Sequence, residues 1–188
     1  MSTGYKITQS DDLYYLTFQV VEWVDLFTRK IYRDIILESL SYCVSSKGLL
    51  IYGYVVMSNH IHLIARSING ELSAIIRDFK KYTSRRILHE VQNSGIESRR
   101  NWLLSIFSES ASNHTRNSNY QVWTHENHAE ILYSNAFIDE KLNYIHQNPV
   151  RAGLVSCAEH YLYSSASNYK AEGGLLDIVL IDQTWGTY

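Results

Sequence analysis

The sequence predicts an α+β domain, and three observations carry that expectation. Strand-like and helix-like stretches follow one another in the order strand, helix, strand, strand, helix, strand, helix. The central two strands are joined by a short Ser-Asn turn and read as a hairpin, so the sheet is largely antiparallel with its helices gathered on one face. The length, 188 residues, suits one domain of ordinary size: a core over about 13–155 and a tail over 156–188.

Each element has its own local reason. Leu13 to Val24 is rich in aromatic and β-branched residues and reads as a strand with Leu16, Phe18 and Val20 facing inward. Thr28 is the expected N-cap of a helix over Arg29 to Ser46, where Ile31, Ile35, Leu40, Cys43 and Val44 recur at helical spacing. Gly48 follows where a helix C-terminal glycine belongs. Leu49 to Met57 is a short apolar run and reads as a buried strand; Ser58-Asn59 supplies the turn into His60 to Arg66, which alternates. A second long helix is expected over Glu71 to Gln92, with Leu72, Ile75, Ile76, Phe79 and Ile87 as its buried stripe. From Asn93 to Asn119 a short helix and a mobile loop are expected, then a strand over Tyr120 to His125. The last helix spans Asn135 to Asn148 and should stop there, because the residue before a proline is disfavoured in helical geometry. Arg151 to Tyr188 is mixed in character.

Composition narrows the function classes. The longest strongly apolar run, Leu49 to Met57, is far short of the roughly 20 residues that span a bilayer. The N-terminus lacks the apolar core of a secretory signal. Two unpaired cysteines, Cys43 and Cys157, imply neither a disulfide framework nor a zinc cluster, and a cytoplasmic location is expected. The net charge of −2 argues against a protein that coats duplex DNA, but leaves room for a small local DNA site.

The chemistry-bearing residues begin with His60-Ile61-His62. Side chains on a strand repeat every two residues, so both imidazoles leave one face and can meet at one metal ion. The same spacing also suits a half-exposed strand with two unrelated histidines. Tyr144 and Asn148 lie four apart on the last helix and are neighbours on its surface. A nearby divalent ion would help a phenol act as a nucleophile, and an amide oxygen one turn away could be a third ligand. With 15 tyrosines in the chain, spacing alone does not single this one out.

Order and context do. YGYVVMSNHIHLIAR (Tyr52 to Arg66), IIRDFKKYTSRRI (Ile75 to Ile87), YQVWTHENHAEIL (Tyr120 to Leu132) and LNYIHQNPVRAGLV (Leu142 to Val155) together resemble the REP-associated tyrosine transposases. These are relatives of the single-tyrosine insertion-sequence transposases in the HUH superfamily. The resemblance runs from about Leu13 to about Tyr169 in consistent order. It departs from the family at His128-Ala129-Glu130-Ile131-Leu132, where relatives often read His-x-Ile-Glu-Leu, which puts a catalytic role for Glu130 in doubt.

The resemblance implies a ferredoxin-like HUH fold, His60, His62 and Asn148 as ligands of Mg²⁺ or Mn²⁺, and Tyr144 as the nucleophile. Two imidazoles and an amide would by themselves also suit zinc or nickel. The implied activity is metal-dependent nicking and strand transfer of single-stranded DNA through a 5′-phosphotyrosine, on hairpin-forming repeats. The alternatives are a non-catalytic, domesticated hairpin-binding protein and a phosphodiesterase that uses bound water. Arg77, Lys80, Lys81 and Arg85 are candidate phosphate contacts, Trp123 a candidate base-stacking residue, and His128 and Arg151 further candidate DNA contacts. The expected partner is single-stranded or hairpin DNA, with no membrane and no nucleotide cofactor; both a monomer and a homodimer are compatible.

Overall fold

The computed structural model describes residues 7, 12–113 and 119–181, so the tip of the loop expected to be mobile and the two chain ends lie outside the described residues. The elements are β1 (Tyr14–Gln19), α1 (Lys30–Lys47), β2 (Leu49–Val56), β3 (His60–Ser67), α2 (Leu72–Asn93), α3 (Arg100–Ser112), β4 (Glu130–Ile131) and α4 (Asn135–Arg151). The sheet is antiparallel in the order β2-β3-β1-β4, which with this chain order is the ferredoxin-like arrangement.

Its two faces are covered differently. Leu16 and Phe18 of β1 and Ile61, Leu63 and Ala65 of β3 bury against Ile35 and Leu40 of α1, Ile75 and Phe79 of α2, and Leu103 and Phe107 of α3. The opposite face carries Tyr15, Val55 and Ile64, packed on Leu142 and Ile145 of α4. Three helices therefore share one face, as expected, and the tyrosine helix has the other to itself. The strand period of two is the cause: His62 and Ile64 are obliged to face α4 once Ile61 and Leu63 face α2.

A bulge in β2 brings α4 close. Ile51 pairs with Ala65 and Gly53 with Ile64, so Tyr52 is an extra residue. A side chain at Gly53 would place its Cβ 2.7 Å from Leu142 Cδ1, so only glycine lets α4 settle here. Beyond α4, the chain returns to the outer edge of β2. Val56 N donates to Tyr163 O, Ser165 N to Tyr54 O, and Val179 N to Ile51 O.

Four local expectations are corrected. β1 stops at Gln19 because Glu22 and Trp23 turn left-handed, with φ of 52° and 53°, and two 3-10 turns follow. Thr28 belongs to the second of these, and its hydroxyl donates to Asp25 O, so it does not cap α1; Arg29 holds the cap position without a side-chain bond. The strand expected over Tyr120 to His125 is reduced to a single bridge, Val20 with Trp123. The chain runs along the edge of β1 but kinks at His128 (φ 39°) before β4 forms over Glu130–Ile131. Finally, α4 does not end at Asn148 but continues through Pro149 to Arg151. Proline forfeits only its own amide bond here, two residues before the end, and it is buried. The glycine stop after α1 is as expected: Gly48 has φ 70° and its amide donates to Cys43 O.

Candidate active site

His60 and His62 project from the start of β3 toward α4, with ring centroids 4.6 Å apart. The strand register places Thr17 of β1 directly beside His62. Both the Thr17 hydroxyl (2.9 Å) and the Tyr15 hydroxyl (2.8 Å) meet His62 Nδ1. The ring of Tyr15 also stacks on that of His62 at 5.3 Å. On the neighbouring imidazole, His60 Nδ1 meets Asn59 Oδ1 at 2.7 Å. Each Nδ1 is thus engaged by a polar partner. With Nδ1–H donating to these oxygens, each Nε2 keeps a lone pair, the arrangement a metal-ligating histidine needs.

Electrostatics favour the same state. Burial, reinforced by His60, Lys141 and Arg151, pushes the His62 imidazole down to about 3, and burial also lowers that of His60. Both rings are neutral near pH 7, as ligands must be. His62 is only 6 % exposed. Burial and the neighbouring charges drive the Tyr15 phenol in the opposite direction, well above the usual tyrosine range, so it remains a hydrogen-bonding group.

α4 supplies the nucleophile candidate. The Tyr144 ring lies edge-on to His62, centroids 5.4 Å apart, and edge-on to Tyr15 at 6.3 Å. Its side is open: the residue is 41 % exposed, the more accessible member of the group. Arg151 lies over the Tyr144 ring, its Cζ 4.4 Å from the centroid, and donates from Nη2 to the Tyr144 carbonyl at 2.9 Å. Asn148, one turn from Tyr144, is held by a 3.4 Å contact from Nδ2 to the same carbonyl. Among the described residues, no cluster of three or more His, Cys, Asp or Glu exists. The half-buried side chain of Asn148, on the same helix as Tyr144, could add an amide oxygen to the two imidazoles. The donor set suits a divalent ion with open positions for phosphate oxygens.

Sequence reasoning missed Tyr15, Thr17 and Lys141. A signal existed for the first two: once Leu16 and Phe18 face the core, Tyr15 and Thr17 must face the other way. Which strand they would sit beside was not readable. Lys141 lies over the Tyr15 ring at 4.6 Å and pairs with Glu130 at 2.8 Å. Glu130 therefore has a structural role, tying β4 to α4. His146 is half-buried between Ser165 Oγ (2.8 Å) and the Tyr169 ring.

The other candidates fall elsewhere. Arg77, Lys81 and Arg85 are exposed on α2, on the sheet face opposite the histidines. Arg77 already pairs with Asp78 at 3.1 Å. Lys80 is turned inward: its ammonium donates to Thr124 O (2.8 Å), Asn127 Oδ1 (2.6 Å) and Glu126 O (3.3 Å). Burial lowers its ammonium to about 8, while those three oxygens favour the charged form. It fastens the 124–127 segment to α2 rather than presenting its charge to solvent. Trp123 is 4 % exposed, sits beside Phe27 and Phe79, and donates Nε1–H to Thr83 Oγ1 at 3.0 Å. It is a core residue with no face open to a base. His128 is exposed, 3.7 Å from Glu126.

Comparison with known proteins supports the family and the fold. The family described as "Transposase IS200 like" matches residues 13–148, which contain His60, His62, Tyr144 and Asn148. A solved structure of a REP-associated tyrosine transposase bound to a REP hairpin is similar over 95 % of each chain, with a TM-score of 0.61 and 16 % identity. No curated protein matches.

Proposed function

Because the chain belongs to the IS200-like transposase family, we propose that it nicks and rejoins single-stranded DNA with Tyr144 as the nucleophile. One observation carries this reading: Tyr144 stands against His62 of its own chain, so nucleophile and ligand pair meet within a single polypeptide. That geometry favours a monomer acting in cis.

In the proposed reaction the Tyr144 phenol loses its proton to water and its oxygen attacks a phosphorus of the strand. The bond from phosphorus to the 3′ oxygen breaks, and that oxygen takes up a proton. The products are a 5′-phosphotyrosine and a free 3′-hydroxyl. The phosphodiester energy is kept in the new link, so rejoining to another 3′-hydroxyl needs no nucleotide. His60, His62 and Asn148 would hold Mg²⁺ or Mn²⁺, which supplies charge stabilisation at the phosphate oxygens. Tyr15 and Thr17 orient His62, and Asn59 orients His60. The similar structure is described as bound to a REP hairpin, and we take a hairpin-forming repeat as the substrate class for this chain as well.

The test uses hairpin-bearing single-stranded DNA with Mg²⁺ or Mn²⁺. A denaturation-resistant protein–DNA adduct is expected, absent in Tyr144→Phe and in the His60→Ala, His62→Ala double variant. An adduct that persists in Tyr144→Phe would sink the assignment.

A further inference from the structure

We propose that Arg151 is a catalytic residue of this site, gripping the non-bridging oxygens of the scissile phosphate while it lies on the ring of Tyr144. The inference rests on the reading of Tyr144 as nucleophile and extends it to the group that meets the phosphate.

Two cations, Lys141 and Arg151, act on His62, and they are not equivalent. Lys141 is held by Glu130 at 2.8 Å, so its charge is already answered. Arg151 is exposed, and among the described residues it has no carboxylate partner. Its one hydrogen bond among the described residues, from Nη2 to the Tyr144 carbonyl, leaves most of its five N–H groups open. The guanidinium is planar and forked, and matches two phosphate oxygens at once.

Position matters as much as charge. With Cζ 4.4 Å from the Tyr144 centroid, the guanidinium rides on the ring whose oxygen must reach phosphorus. A phosphate within reach of that oxygen is also within reach of the remaining N–H groups. The same contact restricts rotation of the Tyr144 side chain. The continuation of α4 through Pro149 is what places Arg151 here: a helix ending at Asn148 would not carry a residue seven positions after Tyr144 back over its ring.

A bland role competes: a basic residue in the last turn of a helix is favoured by the helix dipole. Lysine would serve that role as well as arginine, and loss of either would show in stability. The catalytic role separates from it on three measurements made together: the rate of adduct formation at saturating DNA, the Kd for the same DNA in chelator, and the melting temperature. For Arg151→Ala we expect adduct formation slowed about 10²–10³-fold, in the range seen when one oxyanion-stabilising donor is lost. The Kd should weaken less than about tenfold, and the melting temperature should stay close to that of the parent protein. Added guanidinium ion should restore part of the rate to Arg151→Ala and none to Tyr144→Phe. Arg151→Lys should remain well below the parent rate. Parent-like rates in Arg151→Ala, a loss wholly in Kd, or full recovery in Arg151→Lys would each overturn the inference while leaving Tyr144 in place. No adduct from the unaltered chain would remove both together.

Discussion

His62 shows how much of a candidate metal site lies outside its proposed ligands. Its imidazole is fixed by two hydroxyls from a strand far away in sequence, Tyr15 and Thr17, and a neutral ring is enforced by burial. Replacing both hydroxyls, in Tyr15→Phe with Thr17→Val, leaves the ring free to choose the other tautomer, in which Nε2 carries the proton. Loss of such outer partners costs about 10–100-fold in metal affinity. That loss is the expected result of a Mn²⁺ titration by calorimetry, with the fold retained by circular dichroism. Unchanged affinity would mean that the hydroxyls only fill space. The same residues mark where the sequence stopped being informative. Alternation within one strand is local and visible, whereas the pairing of β1 with β3 depends on the whole sheet.

Among the elements, β2 and α4 set the geometry of the site, and glycine sets their separation. Gly53→Val inserts carbon 2.7 Å from Leu142 Cδ1, and Leu142 is fully buried, so the side chain or α4 must shift. Overpacking of this kind costs about 1–3 kcal/mol. A lower urea midpoint is expected, together with a fall in adduct yield at concentrations where the variant is still folded, because α4 carries Tyr144. A stable variant with normal yield would show that the contact is slack. The long elements were legible from sequence for a simple reason: α1, α2, β2 and β3 have strong periodicity that tertiary contacts reinforce. The failures came where local signals compete with packing. Tyr120 to His125 has strand composition, but β1 ends too early to form more than one bridge with it, and Trp123 goes to the core. Pro149 reads as a stop, yet a buried ring in the last turn is tolerated. Lys80 looked like a member of a basic stripe, and only the folded chain shows three oxygens around it.

Considered as a whole, the molecule places three imidazoles, His60, His62 and His146, in poorly hydrated surroundings on the α4 side, which makes its stability depend on acid. Burial holds His146 at about 4 and His62 at about 3, against 6.5 for an unperturbed imidazole. Below about pH 6.5 the unfolded chain takes up protons that the folded chain refuses. Stability is therefore full at neutral pH and declines as pH falls through 6.5, continuing down toward 4 and below. Urea midpoints in chelator should drop between pH 7.5 and pH 5, and the drop should be smaller in His146→Gln, which keeps a donor for Ser165. A midpoint that is flat over this range would contradict it. The covered edge of β2 has a consequence of a different kind, in time rather than space. Tyr54 finds Ser165 only across 111 residues of chain, and Ile51 waits still longer for Val179. At a synthesis rate of about 5–20 residues per second, the nascent strand keeps an open row of amides and carbonyls for on the order of ten seconds. During that interval any other unfinished copy is a possible partner. His60 and His62 wait through a similar interval for Tyr144, so a chain cut short before α4 would lack the proposed nucleophile and keep the β2 edge open.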